Sequence, residues 1–325
     1  MRQKDDGYKI NGSFKGKDII SLDQFSTKDL LLLFSHVSRM EDLAQKSKPS
    51  ALLAGKIVTL IFYEPSSRTF GSFSSAIKRL GGQTVAILDP QHFSSVSKGE
   101  TLEDTIRVFE AYSDAIVIRH PIAGTSKAAA EAAFFVPIIN AGDGIGEHPT
   151  QALQDLYTIY KKCNRLDNLM GVMAGDILNG RTIHSLLRGL CLFKKNTIYL
   201  LSPKQLRLSR ADFLRFLKQG IRLIEIESEK NIPKNAHFWY WTRVQKERFE
   251  RLSDYEKVKN RFVVTKKLLE NFGNTHLILM HPLPRVGEIH PEIDIDERAV
   301  YLRSQIRNGL YIRMALLALI LGKLT

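Results

Sequence analysis

Apolar residues in this chain fall into two patterns. One is short, nearly unbroken runs; the other is longer stretches in which apolar positions return at helical spacing. The unbroken runs predict buried strands over 57–63, 84–88, 115–119, 136–139, 169–174, 197–201, 222–226, 238–241 and 276–280. Between them the helical spacing predicts helices over 28–45, 69–80, 101–111, 151–161, 182–192 and 211–219. Strand alternating with helix is the pattern of a parallel sheet covered on both faces. The predicted fold is therefore α/β, with two doubly wound domains, each a parallel sheet flanked by helices; two sheets of four or five strands fit better than one of nine. The Gly-rich stretch 142–151, closed by His148-Pro149, marks the expected boundary, giving domains over 1–150 and 151–303. A last helix from 304 carries Leu310, Met314, Leu317 and Ile320 at helical spacing.

Ligands of open α/β sheets bind at the carboxyl ends of strands, where helix N-termini present free N–H groups and a positive dipole end. The run 57–63 passes directly into Glu64-Pro65-Ser66-Ser67-Arg68-Thr69 and a helix ending at Gly81-Gly82. The hydroxyls of Ser66, Ser67 and Thr69, the helix N–H groups and the Arg68 guanidinium form a donor set suited to phosphate. The same residues also fit a plain helix cap beside a surface arginine. A second turn, Gly175-Asp176-Ile177-Leu178-Asn179-Gly180-Arg181-Thr182, imitates the phosphate loop of nucleotide hydrolases. Arg181, however, stands at the lysine position of that loop, and no strand ends in a clear Mg²⁺-binding aspartate. Arg181 at a helix start is better placed to fork a carboxylate.

Composition narrows the class. With 325 residues, 44% hydrophobic and 25% charged, the chain suits a globular protein of two domains. The opening Met1-Arg2-Gln3-Lys4-Asp5-Asp6 holds no apolar segment, so no secretory signal is expected. The apolar run 314–321 is short of the roughly 20 residues that span a bilayer, so no membrane partner is expected. Cys163 and Cys191 form no C-x-x-C pair, which suits a reducing cytoplasm, and the nine histidines include no H-E-x-x-H pair, so no metal is expected. The net charge of +13 admits anionic substrates, an acidic partner or nucleic acid. The basic clusters Lys194-Lys195 and Lys266-Lys267 are short and read as solvated surface. No basic-aromatic pattern accompanies them, so nucleic acid is not an expected partner.

Several further segments occur in one order along the chain: Pro65-Ser66-Ser67-Arg68-Thr69, Ser94 through Thr101, Ile118-Arg119-His120-Pro121, His148-Pro149-Thr150-Gln151, Gly175 through Thr182, Thr242-Arg243-Val244-Gln245-Lys246-Glu247-Arg248, His281-Pro282-Leu283-Pro284-Arg285, Asn308-Gly309 and Arg313 through Leu317. In these segments and their order the chain resembles the aspartate carbamoyltransferases over nearly its whole length. The resemblance implies transfer of a carbamoyl group from carbamoyl phosphate to L-aspartate, an early step of pyrimidine biosynthesis, with no cofactor. It implies that Ser66, Ser67, Arg68 and Thr69 hold the phosphate, and that Thr69, Arg119 and His148 bind the carbonyl oxygen as it gains charge. Gln151 and the carbonyls around Pro282, Leu283 and Pro284 would accept from the carbamoyl NH₂. Prolines carry no N–H, so that last segment is short of donors, and in the family the Leu283-Pro284 bond is cis. Arg181 would take the α-carboxylate of aspartate, and Arg243 with Gln245 its side-chain carboxylate. Ser94 and Lys98 would reach the site of a neighbouring subunit in a homotrimer, and helix 304–325 would return to the first domain. Whether regulatory chains or nucleotides act on the protein is left open.

The chain departs from the family pattern at Ser67, Phe70, Ser74 and Ser97, and at Glu147, whose charge beside His148 is expected to raise that histidine's pKa. Ornithine carbamoyltransferases share the phosphate turn but take an acceptor with an ammonium group, which has no need of Arg243, and typically read His-Cys-Leu-Pro where this chain has His281-Pro282-Leu283-Pro284. A non-catalytic scaffold using its basic surface is a reading from another class, and it gains nothing from an intact donor set.

Overall fold

Isoleucine, valine and leucine crowd the runs near 57–62 and 115–120. In the computed structural model of the chain, which describes residues 8–46, 50–93, 95–244, 251–256 and 261–324, these runs are the central strands of a parallel sheet. Branched side chains suit a pleated surface, and strands covered on both faces need no polar alternation. The chain divides into two compact units, Met1–Leu153 with Arg307–Thr325, and Gln154–Ile306.

In the first unit, α1 (Thr27–Ser35) and α2 (Val37–Gln45) precede β1 (Ile57–Phe62), α3 (Ser67–Arg79), β2 (Gln83–Leu88), the short α4 (Pro90–Phe93), α5 (Leu102–Glu110), β3 (Ala115–His120), α6 (Thr125–Ala132) and β4 (Ile138–Asp143). The chain passes to the second unit within α7 (Pro149–Cys163). There follow β5 (Met170–Ala174), α8 (Arg181–Cys191), β6 (Thr197–Leu201), α9 (Arg210–Lys218), β7 (Arg222–Ile226), β8 (Phe238–Trp241), α10 (Leu252–Glu256), α11 (Lys266–Phe272) and β9 (Ile278–Met280). The last helix, α12 (Ser304–Ile320), has most of its length in the first unit. Both sheets are parallel, with strand orders β2-β1-β3-β4 and β7-β6-β5-β8-β9.

Each unit has its own core. In the first, Ile61, Ile116, Ile118 and Ile138 pack with Ile106 and Ala129 from the helices above them. In the second, Val172, Leu279, Trp239 and Trp241 gather Phe262, Leu269 and Tyr301, and the two indole rings lie 5.5 Å apart. Gly171 permits close packing there, since a Cβ at that position would lie 2.2 Å from the Phe238 ring. Residues 311–320 of α12 are all buried, Arg313 among nine otherwise uncharged residues. No helix of the described residues is long and apolar enough to cross a membrane.

The apolar pattern did not mark α4, α6, α10 or α11, and two of the elements it did mark differ from its reading. The single helix over 28–45 is two, because the chain turns at His36, which caps α1 at one end and opens α2 at the other. That turn lets Leu30, Leu33 and Phe34 on one helix and Val37 and Met40 on the next all reach the core. The strand over 136–139 lies later, at Ile138–Asp143, and takes in polar residues that the apolar run excluded. Asn140 is fully buried there because its amide donates to the Ile20 carbonyl at 3.1 Å and its Oδ1 accepts from the Gly142 N–H at 2.7 Å.

Candidate functional site

Both strand orders reverse direction once. In the first sheet β1 leads outward to β2, and the chain then returns to place β3 on the other side of β1. In the second, β5 leads out through β6 and β7, and β8 then pairs on the opposite side of β5. A sheet opens a crevice at the carboxyl ends of the strands flanking such a reversal. The sequence-read anion groups stand at these two places.

In the first unit the Ser66-Ser67-Arg68-Thr69 turn follows β1 and opens α3, whose first N–H groups lack partners within the helix. Ser66 makes no side-chain cap hydrogen bond, so its hydroxyl is not spent on the helix. Ser67 and Arg68 are exposed and Thr69 is buried. Phe70 meets the Phe62 ring edge-on at 5.5 Å, so this departure from the family pattern packs behind the turn. Beside the turn, on β3, the Arg119 guanidinium is buried. Its Nη2 lies 2.6 Å from the Glu64 carboxylate and its Nη1 donates to the Ala141 carbonyl at 3.1 Å. Burial pulls the Arg119 pKa below its ordinary value, and the Glu64 charge opposes that shift.

Gly142 brings Arg119 and His148 together. A Cβ at Gly142 would lie 2.8 Å from Arg119 Nη1 and 3.6 Å from His148 Cδ2, and its φ of +115° is open mainly to glycine. The loop is braced by Asp143, whose carboxylate accepts from the N–H groups of Gly124 at 2.9 Å and Glu147 at 2.8 Å. The Glu147 carboxylate accepts from Ser21 Oγ at 2.5 Å and from the Leu22 N–H at 3.1 Å, which gives its charge a task in anchoring the N-terminal segment. His148 stands just before α7, and its carbonyl accepts from the N–H groups of Gln151 and Ala152, fixing Gln151 on the first turn. Arg313 of α12 braces both segments, with Nη1 donating to Ser72 on α3 at 3.2 Å and Nη2 to Thr150 at 3.4 Å. His120, next to Arg119, is spent on structure: its Nδ1 accepts from the Ile122 N–H, and burial lowers its pKa.

In the second unit Arg181 is the first residue of α8, after the turn that leaves β5, and Arg243 follows the end of β8. The turn is held by Asp176, fully buried, which accepts from the Asn179 N–H at 2.9 Å. The two strand ends meet at Gly175, where a Cβ would lie 2.2 Å from the Thr242 carbonyl oxygen. With φ at +111° as well, Gly175→Ala is expected to cost more than about 2 kcal/mol of stability, read from urea unfolding midpoints.

The His281–Pro284 segment follows β9. Its Leu283-Pro284 bond is cis, and the Leu283 N–H donates to His281 Nδ1 at 2.8 Å. With Nδ1 accepting, the ring proton sits on Nε2, which donates to Glu288 at 2.7 Å. The Leu283 N–H is thus spent within the segment and the His281 N–H on Gln305 Oε1, so the segment keeps carbonyls to offer. Burial acts to raise the Glu288 pKa, but the hydrogen bonds it accepts from His281 and from the Val286 N–H outweigh burial and hold the carboxyl below its ordinary 4.5. A depressed carboxyl stabilises the fold above its unfolded value, and that stability is lost as pH falls through the lower folded value. Glu288→Gln is therefore expected to flatten the loss of thermal stability below about pH 4.5, measured by melting across an acid series. Arg285 is paired with Asp294 and Tyr301, so this cation of the motif serves the fold.

Lys98 lies exposed at the end of a short 3-10 helix, Ser95–Lys98. Ser94 and Gln245 fall outside the described residues, as do 246–248 of the Arg243 motif. Among the described residues no group of three or more His, Cys, Asp or Glu is placed to hold a metal ion. Glu64, Gly142, Arg313 and Glu288 were not singled out as site residues from sequence, although Glu64 lies inside the quoted turn and Gly142 inside the stretch read as a boundary.

Comparison with known proteins adds independent findings. A family model described as the aspartate/ornithine carbamoyltransferase carbamoyl-P binding domain matches residues 17–161, and one described as the Asp/Orn binding domain matches 167–320. The aspartate carbamoyltransferase catalytic subunit of Methanosarcina barkeri is 46% identical over 310 residues, covering 95% of this chain and 99% of the relative. Multifunctional protein pyr1-3 of Dictyostelium discoideum is 44% identical over 312 residues, 96% of this chain but 14% of that much longer protein. Among solved structures, the aspartate transcarbamoylase of Trypanosoma cruzi in complex with N-(phosphonacetyl)-L-aspartic acid superposes with a TM-score of 0.86 at 36% identity, covering 95% of this chain and 97% of that one.

Proposed function

Because the chain belongs to the aspartate/ornithine carbamoyltransferase family, we propose that it transfers the carbamoyl group of carbamoyl phosphate to L-aspartate, yielding N-carbamoyl-L-aspartate and phosphate. The observation that carries aspartate over ornithine is the pair Arg181 and Arg243, set at the carboxyl ends of the adjoining strands β5 and β8 across the reversal of the second sheet. Two guanidinium groups match two carboxylates, whereas the side-chain ammonium of ornithine would meet like charge. The phosphonacetyl-aspartate complex of the Trypanosoma cruzi relative supports the same choice.

On this reading the first unit holds carbamoyl phosphate. Ser66, Ser67, Arg68 and Thr69 bind the phosphate, and Thr69, Arg119 and His148 donate to the carbonyl oxygen. Gln151, with the carbonyls about Leu283 and Pro284, accepts from the carbamoyl NH₂. In the second unit Arg181 binds the α-carboxylate, and Arg243 with Gln245 binds the side-chain carboxylate. The amine nitrogen of aspartate forms a bond to the carbamoyl carbon, the bond from that carbon to the phosphate oxygen breaks, and the leaving phosphate takes the amine proton. The barrier falls through positioning and through donors aimed at the oxygen that gains charge, with no cofactor. A pH–rate profile tracing proton acceptance to one side chain would overturn the phosphate's part in that step.

The test is product analysis with purified protein, carbamoyl phosphate and either amino acid. Carbamoyl-aspartate with one phosphate per turnover is expected; consumption of ornithine alone, or of neither, overturns the reading. The protein is further read as a cytoplasmic homotrimer in which Ser94 and Lys98 serve the neighbouring subunit. Mixing inactive Lys98→Ala and Arg68→Ala chains should then restore part of the activity, and no recovery on mixing would count against shared sites.

A further inference from the structure

One buried carboxylate in the second unit has no part in the reading above. Asp155, on α7, is fully buried, a costly place for a charge unless each oxygen is paired. Tyr240 Oη donates to its Oδ2 at 2.9 Å, and Gln305 Nε2 donates to its Oδ1 at 2.8 Å. Both donors are themselves fully buried.

Each donor leads to a different part of the candidate site. Tyr240 itself pairs with Met173 on β5, and two residues later the Thr242 N–H donates to the Ala174 carbonyl at 2.9 Å, where the turn to Arg181 begins. Gln305 turns its Oε1 to accept the His281 N–H at 3.1 Å, and His281 in turn receives the Leu283 N–H. The path therefore runs from the end of β5, where the turn to Arg181 begins, through Tyr240, Asp155 and Gln305, to the His281–Pro284 segment.

We propose that Asp155 is a positioning residue that holds the Arg181 turn and the His281–Pro284 segment in one fixed relation by accepting from Tyr240 and Gln305. The chemistry calls for a carboxylate at this point. It offers acceptors only, so both neighbours are forced to donate, and the Gln305 amide is thereby left with its oxygen toward His281. An asparagine of the same shape would turn an N–H₂ toward one of two groups that are already donors. Burial, followed by the Asp155 charge, pushes the Tyr240 phenol well above its ordinary pKa, so it remains a donor throughout the working range. The inference rests on the roles given above to Arg181 and to Leu283 and Pro284.

The test compares Tyr240→Phe, Gln305→Leu and Asp155→Asn in the full chain, reading both KM values, kcat and the melting temperature. Tyr240→Phe is expected to raise the aspartate KM about tenfold and leave the carbamoyl phosphate KM within about twofold. Gln305→Leu is expected to show the reverse split, and Asp155→Asn to raise both. Amide hydrogen exchange supplies a readout independent of turnover: Tyr240→Phe should loosen 181–183, Gln305→Leu should loosen 281–283, and Asp155→Asn should loosen both. Should Asp155→Asn fail to fold, the other two variants carry the test. Lowered melting temperatures with both KM values and both segments unchanged would reduce Asp155 to a structural residue and overturn the proposal. A wild-type chain that makes no carbamoyl-aspartate would instead sink the functional reading, and the exchange pattern would still decide the role of Asp155.

Discussion

Arg68→Ala is expected to lower kcat about 1000-fold, roughly 4 kcal/mol of transition-state stabilisation, while leaving the fold intact. Arg68 is exposed on the first turn of α3, so its removal takes nothing from the core, and the melting temperature should stay close to that of the parent. On the proposed reading, what it removes is the planar fork that faces the departing phosphate, next to helix N–H groups that cannot follow the developing charge as far. Arg68→Lys should recover little, because a compact ammonium makes one strong contact where the guanidinium makes two. Steady-state rates at saturating aspartate decide it. A loss of less than tenfold would mean that the phosphate is held elsewhere.

Arg243→Ala should act on the other substrate. Loss of a bidentate charged contact is worth on the order of 3 kcal/mol, so the aspartate KM is expected to rise about 100-fold. The carbamoyl phosphate KM should hardly move, since Arg243 stands at the end of β8, in the second unit, and the phosphate turn follows β1, in the first. Titration calorimetry with inorganic phosphate supplies the control. If phosphate affinity fell in parallel with aspartate affinity, Arg243 would be acting through the fold instead of on the carboxylate.

Much of this was legible in the residues. Buried parallel strands announce themselves because both faces are apolar, so the runs read at 57–63, 115–119 and 197–201 needed no partner to be recognised. Arg68 and Arg181 were legible for a local reason, since each stands on the first turn of a helix that follows a strand. His36 and β4 were not. A helix break with no proline or glycine leaves no mark in the periodicity. A strand ending in Asn140-Ala141-Gly142-Asp143 is polar by composition, and becomes a strand only because Ile20, Gly124 and Glu147 supply the partners its polar groups require.

By itself the amino-acid order determined the alternation of strand and helix, and with it two doubly wound units. It also determined the identity of the groups able to meet a phosphate and two carboxylates, for these are properties of side chains and of their nearest neighbours along the chain. Tertiary structure alone decided which strands lie side by side. Pairing β1 with β3 and β5 with β8 is set by long-range packing of apolar faces, and it is this pairing that puts Arg119 beside the turn at 66–69 and sets Arg181 and Arg243 beyond the ends of adjoining strands. It also decided how each charged group is used. Arg285 is committed to Asp294, Arg313 braces Ser72 and Thr150, and Asp155 is set between Tyr240 and Gln305, because a buried charge takes its role from the partners that folding brings within reach.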